Sequence, residues 1–397
     1  MKKKDNYPRI LNKIIERKFS FFLFGPRQTG KTTLLNSFKS TLEIDLLNNE
    51  IYLKYNSKPD ILFEEVQIFN KNSTKEIFIW IDEIQKIPEL LETVHRILNN
   101  FDNVIFALTG SSARKIKRGA ANLLGGRLLD YKIHPLSFFE IEKDFNLGDR
   151  LQFGSLPHIV KLDNKEVIKK FLRSYISTYL TEEIKSESLV KNLSSFQGFL
   201  ELVASNSSKQ INITDICTKI GISRHYINKY FEILEDTLVG FFLYPYCKGT
   251  TKRLSKQPKF YFFDTGATRA INRTLNTELK NEEKGNIFEQ FIVLEIKKLI
   301  DYYNEDYQIF FYRTAAGAEV DILLTLNNEI KLAIECKSNP KLLKSDLSGI
   351  KSFSNTYKNV ETVIVTDSDY SRIYNNLLEV LTVKDLLYKI KKIISYN

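Results

Sequence analysis

Sulfur chemistry is almost missing from this chain. Its three cysteines, Cys217, Cys247 and Cys336, lie far apart and show no metal-ligand spacing. So sparse and odd a set excludes a disulfide framework and suits a reducing, cytoplasmic setting. Histidine is equally scarce, at four residues. His95, His134 and His158 show neither metal-ligand nor triad spacing and read as structural. No run of about 18 apolar residues occurs, so neither a transmembrane helix nor a membrane partner is expected. The basic start, Met1-Lys2-Lys3-Lys4, lacks the apolar stretch of a signal peptide. Internal repeats and long low-complexity tracts are absent as well.

What remains is a folded, basic chain. At 397 residues it is too long for one ordinary core and predicts two or three units. Apolar residues make up 43% and charged residues 27%, a globular balance. The net charge of +10 favours polyanionic partners such as DNA, although a lysine-rich composition gives the same excess without one.

Hydrophobic patterning divides the chain in three. In residues 1–145, short apolar runs alternate with helical patterns. Phe19–Phe24, Ile77–Ile81 and Val104–Thr109 are apolar at almost every position. Such runs suit central strands of a parallel sheet, and the alternation predicts a doubly wound α/β domain. Thr32–Ser40 has helical character. Residues 146–247 read as mostly helical, and residues 248–397 as α+β, with a helix over Asn286–Ile300 and strands at Glu319–Leu324, Lys331–Lys337 and Val360–Val365. The stretch Lys248–Lys259, rich in Lys, Thr, Ser and Pro, reads as a junction.

One motif carries clear chemistry. Gly25-Pro26-Arg27-Gln28-Thr29-Gly30-Lys31-Thr32 matches G-x-x-x-x-G-K-[ST] and is followed by Thr33. It sits between a buried strand and a helix, as a phosphate loop must. Glycines let backbone N–H groups face phosphate oxygens, and the helix start adds partial positive charge. Lys31 is expected at the β and γ phosphates of ATP, and the Thr32 hydroxyl on Mg²⁺.

Downstream, Ile79-Trp80-Ile81-Asp82-Glu83 ends an apolar strand in two carboxylates. Asp82 is expected to hold the Mg²⁺ shell and Glu83 to polarise the attacking water. Leu108-Thr109-Gly110-Ser111-Ser112 ends a third strand. There Thr109 or Ser111 would sense the γ-phosphate, or simply complete strand-end hydrogen bonds. Arg127, after Gly125-Gly126, is a candidate for an arginine supplied in trans, which implies a homo-oligomer. Arg114 and Arg118 are alternatives, and a surface ion pair is the plain reading.

These words together resemble a prokaryotic AAA+-like ATPase family. They are the phosphate loop, Ile81-Asp82-Glu83-Ile84-Gln85, Leu108-Thr109-Gly110-Ser111-Ser112, Gly126-Arg127 and Pro135-Leu136-Ser137-Phe138-Phe139-Glu140. In that family a winged-helix segment and a C-terminal domain of unknown function 4143 follow. Lys284-Gly285-Asn286-Ile287-Phe288-Glu289, Tyr312-Arg313, Gly317-Ala318-Glu319-Val320-Asp321 and Ile334-Glu335-Cys336-Lys337 are similar to its words. The resemblance spans nearly the whole chain. It implies an ATPase core whose sensor strand lies between the phosphate-loop strand and the acidic-pair strand.

In the last third, Asp321 falls in one strand and Glu335-Cys336-Lys337 in the next. Residues 335 and 337 project to one side of a strand. Asp321 and Glu335 would then bind Mg²⁺ or Mn²⁺, Lys337 would orient or activate water, and Glu289 would add an outer carboxylate. This pattern resembles the restriction-endonuclease-like nuclease superfamily. A domain that keeps the fold but only holds a partner gives the same letters.

Ile213–Tyr230 has helix-turn-helix grammar. Gly221 stands at the turn, and Arg224, His225, Asn228 and Lys229 lie on the second helix, facing DNA or plain solvent. Three functions follow. One is an ATP-dependent enzyme acting on DNA through a metal nuclease. The second is an ATP-driven switch whose C-terminal domain binds a protein or nucleic-acid partner without cleaving it. The third is a nucleotide-responsive winged-helix regulator.

Overall fold

The computed structural model describes residues 7–72, 75–110, 124–180, 193–247, 256–375 and 378–395. They form two compact units. One comprises the chain up to Leu136 together with Leu234–Val239. The other comprises Ser137–Ile233 and the chain from Gly240 onward.

The first unit is built on five strands: β1 (Phe21–Phe24), β2 (Leu42–Asp45), β3 (Ile77–Asp82), β4 (Val104–Gly110) and β5 (Leu129–Lys132). Their order is β2-β3-β4-β1-β5, and every pair is parallel. β4 therefore separates β1 from β3, the arrangement that the family resemblance implied. Every residue of β1, β3 and β4 is buried, which requires cover on both faces of the sheet.

The helix that follows the phosphate loop is α1 (Lys31–Leu35), shorter than the expected Thr32–Ser40. The Ser37 hydroxyl donates to the Leu34 carbonyl at 2.6 Å, a local bond that competes with helix continuation. Asn48 caps α2 (Asn49–Ser57) by accepting from the Glu50 and Ile51 N–H groups. α3 (Ile61–Asn72) and α4 (Leu90–Asn100) bring Leu62, Val66, Leu91, Val94 and Ile97 into a core with Ile79, Ile81 and Phe106. Elsewhere in this unit Phe38 meets Phe21 and Phe78 edge-on, at 6.4 and 5.7 Å.

The second unit opens with the anchor Ser137–Glu140, read from sequence with the preceding domain. Phe138 is buried against Phe139, Phe145 and Tyr388, and its N–H donates to Glu295 at 2.7 Å. Helices α5 (Leu147–Phe153), α6 (Lys165–Ser174), α7 (Leu193–Ser205), α8 (Ile213–Ile220) and α9 (Arg224–Asp236) follow, the last three residues of α9 being counted with the first unit. β6 (Gly240–Leu243) then pairs antiparallel with β7 (Lys259–Phe262), across the boundary expected after residue 247. After α10 (Thr265–Ile271) comes the long α11 (Asn281–Tyr303).

A mixed sheet completes the unit: β8 (Tyr307–Arg313), β9 (Glu319–Leu326), β10 (Glu329–Lys337), β11 (Thr362–Thr366), β12 (Arg372–Tyr374) and β13 (Leu378–Thr382), in the order β12-β13-β11-β10-β9-β8. β10, β11 and β13 run parallel, and the other pairs antiparallel. α11 and the terminal α13 (Val383–Ser395) share one core with Ile322, Leu324, Ile334 and Val363. α12 (Ser348–Thr356) packs with Leu323, Ala333 and Ile364 in a second core. The alternation along β9 and β10 is that of strands covered on both faces.

Candidate active site

Parallel α/β sheets receive ligands outside the carboxyl ends of their strands. β1, β3 and β4 end together there, and the loop Gly25–Gly30 leaves β1 at that edge. A Cβ on Gly25 would stand 2.4 Å from the Ile133 carbonyl oxygen, so no larger residue fits. Gly30, at φ 97°, and Gln28, at φ 61°, curl the loop through left-handed conformations. The Pro26 carbonyl accepts from the Thr29 hydroxyl at 2.7 Å and closes the loop. From outside, Arg9 donates to the Thr29 carbonyl at 2.6 Å and to the His134 carbonyl at 2.7 Å. Sequence reasoning missed Arg9, because no motif marks a single arginine whose partners are backbone carbonyls. The buried Lys31 ammonium donates to the Gly25 carbonyl at 2.7 Å and the Pro26 carbonyl at 3.3 Å. Arg27 is half-buried, and Gln28, Thr32 and Thr33 are exposed.

Asp82 ends β3. The Thr32 hydroxyl donates to its Oδ2 at 2.6 Å, and the Thr109 hydroxyl donates to its Oδ1. Thr109 also accepts from the Glu83 N–H at 3.3 Å. It is fully buried and ties the Asp82 carboxylate to the Glu83 backbone. Glu83 is buried too, with a left-handed φ of 58°, and the Gln85 amide donates to its carboxylate. For a non-glycine residue that conformation costs roughly 1–2 kcal/mol, a strain that clusters at functional sites. A hydroxyl beside a carboxylate is the oxygen donor set that Mg²⁺ takes, so Thr32 and Asp82 fit that ion. Ser111, Arg114 and Arg118 lie outside the described residues.

Arg127 stands on a turn before β5, exposed, with its guanidinium donating to Asn99 at the end of α4. β5 is parallel to β1, so Arg127 enters at the amino edge of the sheet, opposite the phosphate loop. Its guanidinium is bound to Asn99 there, away from the phosphate loop. An effect of Arg127→Ala on ATP turnover is therefore expected only where copies assemble: on the order of a hundredfold or more at high protein concentration, fading on dilution. Sedimentation with and without ATP checks this, and a monomer throughout would remove the role.

In the second unit, Asp321, Glu335 and Lys337 do meet. The Asp321 carboxylate accepts from the Cys336 N–H at 2.8 Å, and Lys337 pairs with Glu335 at 2.8 Å. The other Glu335 oxygen, Oε2, is buried without a hydrogen-bond partner. A residue read from sequence as part of a junction joins them. The Lys259 ammonium lies 2.8 Å from Glu289, 2.6 Å from Glu319 and 3.9 Å from Asp321. Tyr261 donates to Glu289, and Arg313 holds the far oxygen of Glu319 at 2.6 Å.

Burial sets the electrostatics of this cluster. It pushes Glu289 up to about 7, with Asp321 adding to the shift and Lys259 opposing it. Burial raises Asp321 against the pull of Lys259 and Lys337. Burial and then Asp321 hold Glu335 well above the usual carboxylate range. For Lys259 burial works against the charge, but Glu289, Tyr261, Asp321 and Glu319 together outweigh it and raise its pKa. The lysine sees several acids, whereas each acid also sees its acidic neighbours. Among the described residues, no three His, Cys, Asp or Glu side chains are grouped to hold a metal ion. With Lys259 beside Asp321, the expected metal set of Asp321 and Glu335 does not fit an ion as it stands.

The phosphate loop, the acid pair at the end of β3 and the strand order point one way, and family comparison agrees. Residues 17–142 match the family described as AAA domain, 144–279 a domain of unknown function (DUF8612), and 284–386 a domain of unknown function (DUF4143). Residues 17–142 are an AAA domain. An uncharacterized protein of Haemophilus influenzae is 25% identical over 320 residues, covering 74% of this chain and 78% of that protein. An uncharacterized protein of Methanocaldococcus jannaschii is 25% identical over 402 residues, covering 92% and 87%. Among solved structures, a Walker-type ATPase of Pyrococcus abyssi aligns with a TM-score of 0.46 at 15% identity, over 66% of this chain and 93% of that one.

Between the AAA and DUF4143 regions, the helix-turn-helix pattern forms α8 and α9. Asn212 caps α8 by accepting from Thr214 and Asp215, and Gly221 turns the chain at φ 74°. Ile227 and Tyr230 are buried, whereas Arg224, His225 and Asn228 are exposed and Lys229 is half-buried. No helix among the described residues is long and apolar enough to cross a membrane.

Proposed function

We propose that this protein binds ATP with Mg²⁺ and hydrolyses it, and that turnover switches a C-terminal unit which holds a partner without cutting it. The chain of contacts Thr32–Asp82–Thr109–Glu83, beside Lys31 and at the carboxyl ends of adjacent parallel strands, carries the first half. Lys31 would neutralise phosphate charge, and the loop N–H groups would orient it. Glu83 would hold the attacking water and accept its proton. Mg²⁺ on Thr32 and Asp82 would supply charge neutralisation at the β and γ phosphates.

The absence of cutting is supported by Lys259, a cation already among the acids of the expected nuclease centre. The test is one preparation assayed twice, for ATP turnover and for cleavage of linear, circular and single-stranded DNA with Mg²⁺ or Mn²⁺. Turnover without cleavage is expected, and Asp321→Ala should change neither. Cleavage that Asp321→Ala abolishes, with ATP turnover intact, would restore the metal-nuclease reading. A chain that turns over no ATP would refute the first half.

A further inference from the structure

Four carboxylates, Glu289, Glu319, Asp321 and Glu335, come together at one place in the C-terminal unit, and all but Glu319 are buried. Buried like charges are held against compensating cations or relieved by taking up protons. Lys337 serves Glu335, and Arg313 serves the outer face of Glu319. The remaining compensation comes from Lys259, whose side chain is 2% exposed and whose ammonium reaches Glu289, Glu319 and Asp321. Lys259 opens β7, a strand within the DUF8612 match, whereas the acids all fall within the DUF4143 match. One domain thus supplies the cation for the other's acids.

We infer that Lys259 is the resident cation of this cluster and excludes an oxygen-ligated divalent ion from it for as long as it stays in place. The geometry is that of a competitor. An ammonium within 2.6–3.9 Å of three carboxylates takes the electrostatic position a divalent ion needs. An acceptor for such an ion survives in Glu335 Oε2, buried and without a hydrogen-bond partner. Removing the lysine charge leaves the acids two options, to take up protons or to bind a metal. The paired placement of Asp321 and Glu335 on adjacent strands favours the metal. The inference extends the reading in which the C-terminal unit does not cut, because a closed site explains why a nuclease-like acid set would be silent.

The experiment is a Mn²⁺ titration of the full chain without nucleotide, following free Mn²⁺ by electron paramagnetic resonance. Wild type should show no site that Asp321→Asn removes. Lys259→Met should gain one, binding Mn²⁺ at least about tenfold more tightly than the nonspecific background of wild type, since one repelling unit charge has left. Adding Asp321→Asn to Lys259→Met should abolish the gain. Should Lys259→Met not fold alone, Mn²⁺ must restore its cooperative melting, in an Asp321-dependent way. A wild-type Mn²⁺ site lost in Asp321→Asn overturns the inference. So does a Lys259→Met variant that binds no Mn²⁺ when folded, or is not rescued by it when unfolded. DNA cleavage by a wild type that shows no such site would refute the non-cutting reading while leaving Lys259 as the resident cation.

Discussion

Lys31→Ala should melt like wild type and no longer hold ATP. The Lys31 ammonium is buried inside the loop and is held by the carbonyls of Gly25 and Pro26. Those carbonyls are weak partners for a full charge, and phosphate oxygens are far better ones. A charge-assisted hydrogen bond contributes about 1.5–3 kcal/mol net, and the lysine is placed to make more than one to the β and γ phosphates. Affinity for ATP should therefore fall on the order of a hundredfold or more, and turnover with it. Stability should change little, because Thr29, Pro26 and Arg9 close the loop without the lysine. Titration with a fluorescent ATP analogue, beside a melting curve, reads both quantities. Wild-type affinity and turnover in a folded variant would mean that this loop is not the phosphate site.

Much of the first unit was legible because its constraints are local. β1, β3 and β4 are buried on both faces, so their letters are apolar without interruption. The edge strands gave no such signal. β2 is only partly buried, and β5 is exposed at Leu129 and Asp130, so no run marks either. The phosphate loop was legible because a glycine pressed against the Ile133 carbonyl and another at φ 97° leave little freedom in sequence. The short α1 was not, since its end is set by one hydroxyl–carbonyl bond.

In the second unit the pairing of Asp321 with Glu335 and Lys337 was readable from strand alternation and a short β9–β10 connection. Lys259 was hidden because its partners lie far along the chain. Its only local sign was a lysine heading the apolar run Phe260-Tyr261-Phe262-Phe263, where a charge needs a partner. The acids announced a cation and the lysine announced an acid, but only the fold brings them together. Sequence alone therefore favoured an added metal ion, where the chain provides its own charge.

Glu83→Gln should bind ATP about as well as wild type and hydrolyse it on the order of a hundred- to ten-thousandfold more slowly, the range expected when a general base is lost. The substitution keeps the shape of the side chain, and the Glu83 N–H bond to Thr109 belongs to the backbone. Gln85 donates to the carboxylate, and a glutamine oxygen still accepts that bond. What disappears is the capacity to take a proton from water. Thr32 and Asp82 are untouched, so binding of the nucleotide with Mg²⁺ should survive and the protein should accumulate bound ATP. Asp82→Asn supplies the contrast, because it weakens the carboxylate that the Thr32 and Thr109 hydroxyls share and should lower binding together with turnover. Single-turnover hydrolysis, with retained nucleotide measured in the same sample, separates the two. Unchanged steady-state hydrolysis in Glu83→Gln would take the base role from Glu83. The left-handed backbone at that position would then be strain held for the orientation of Asp82 alone.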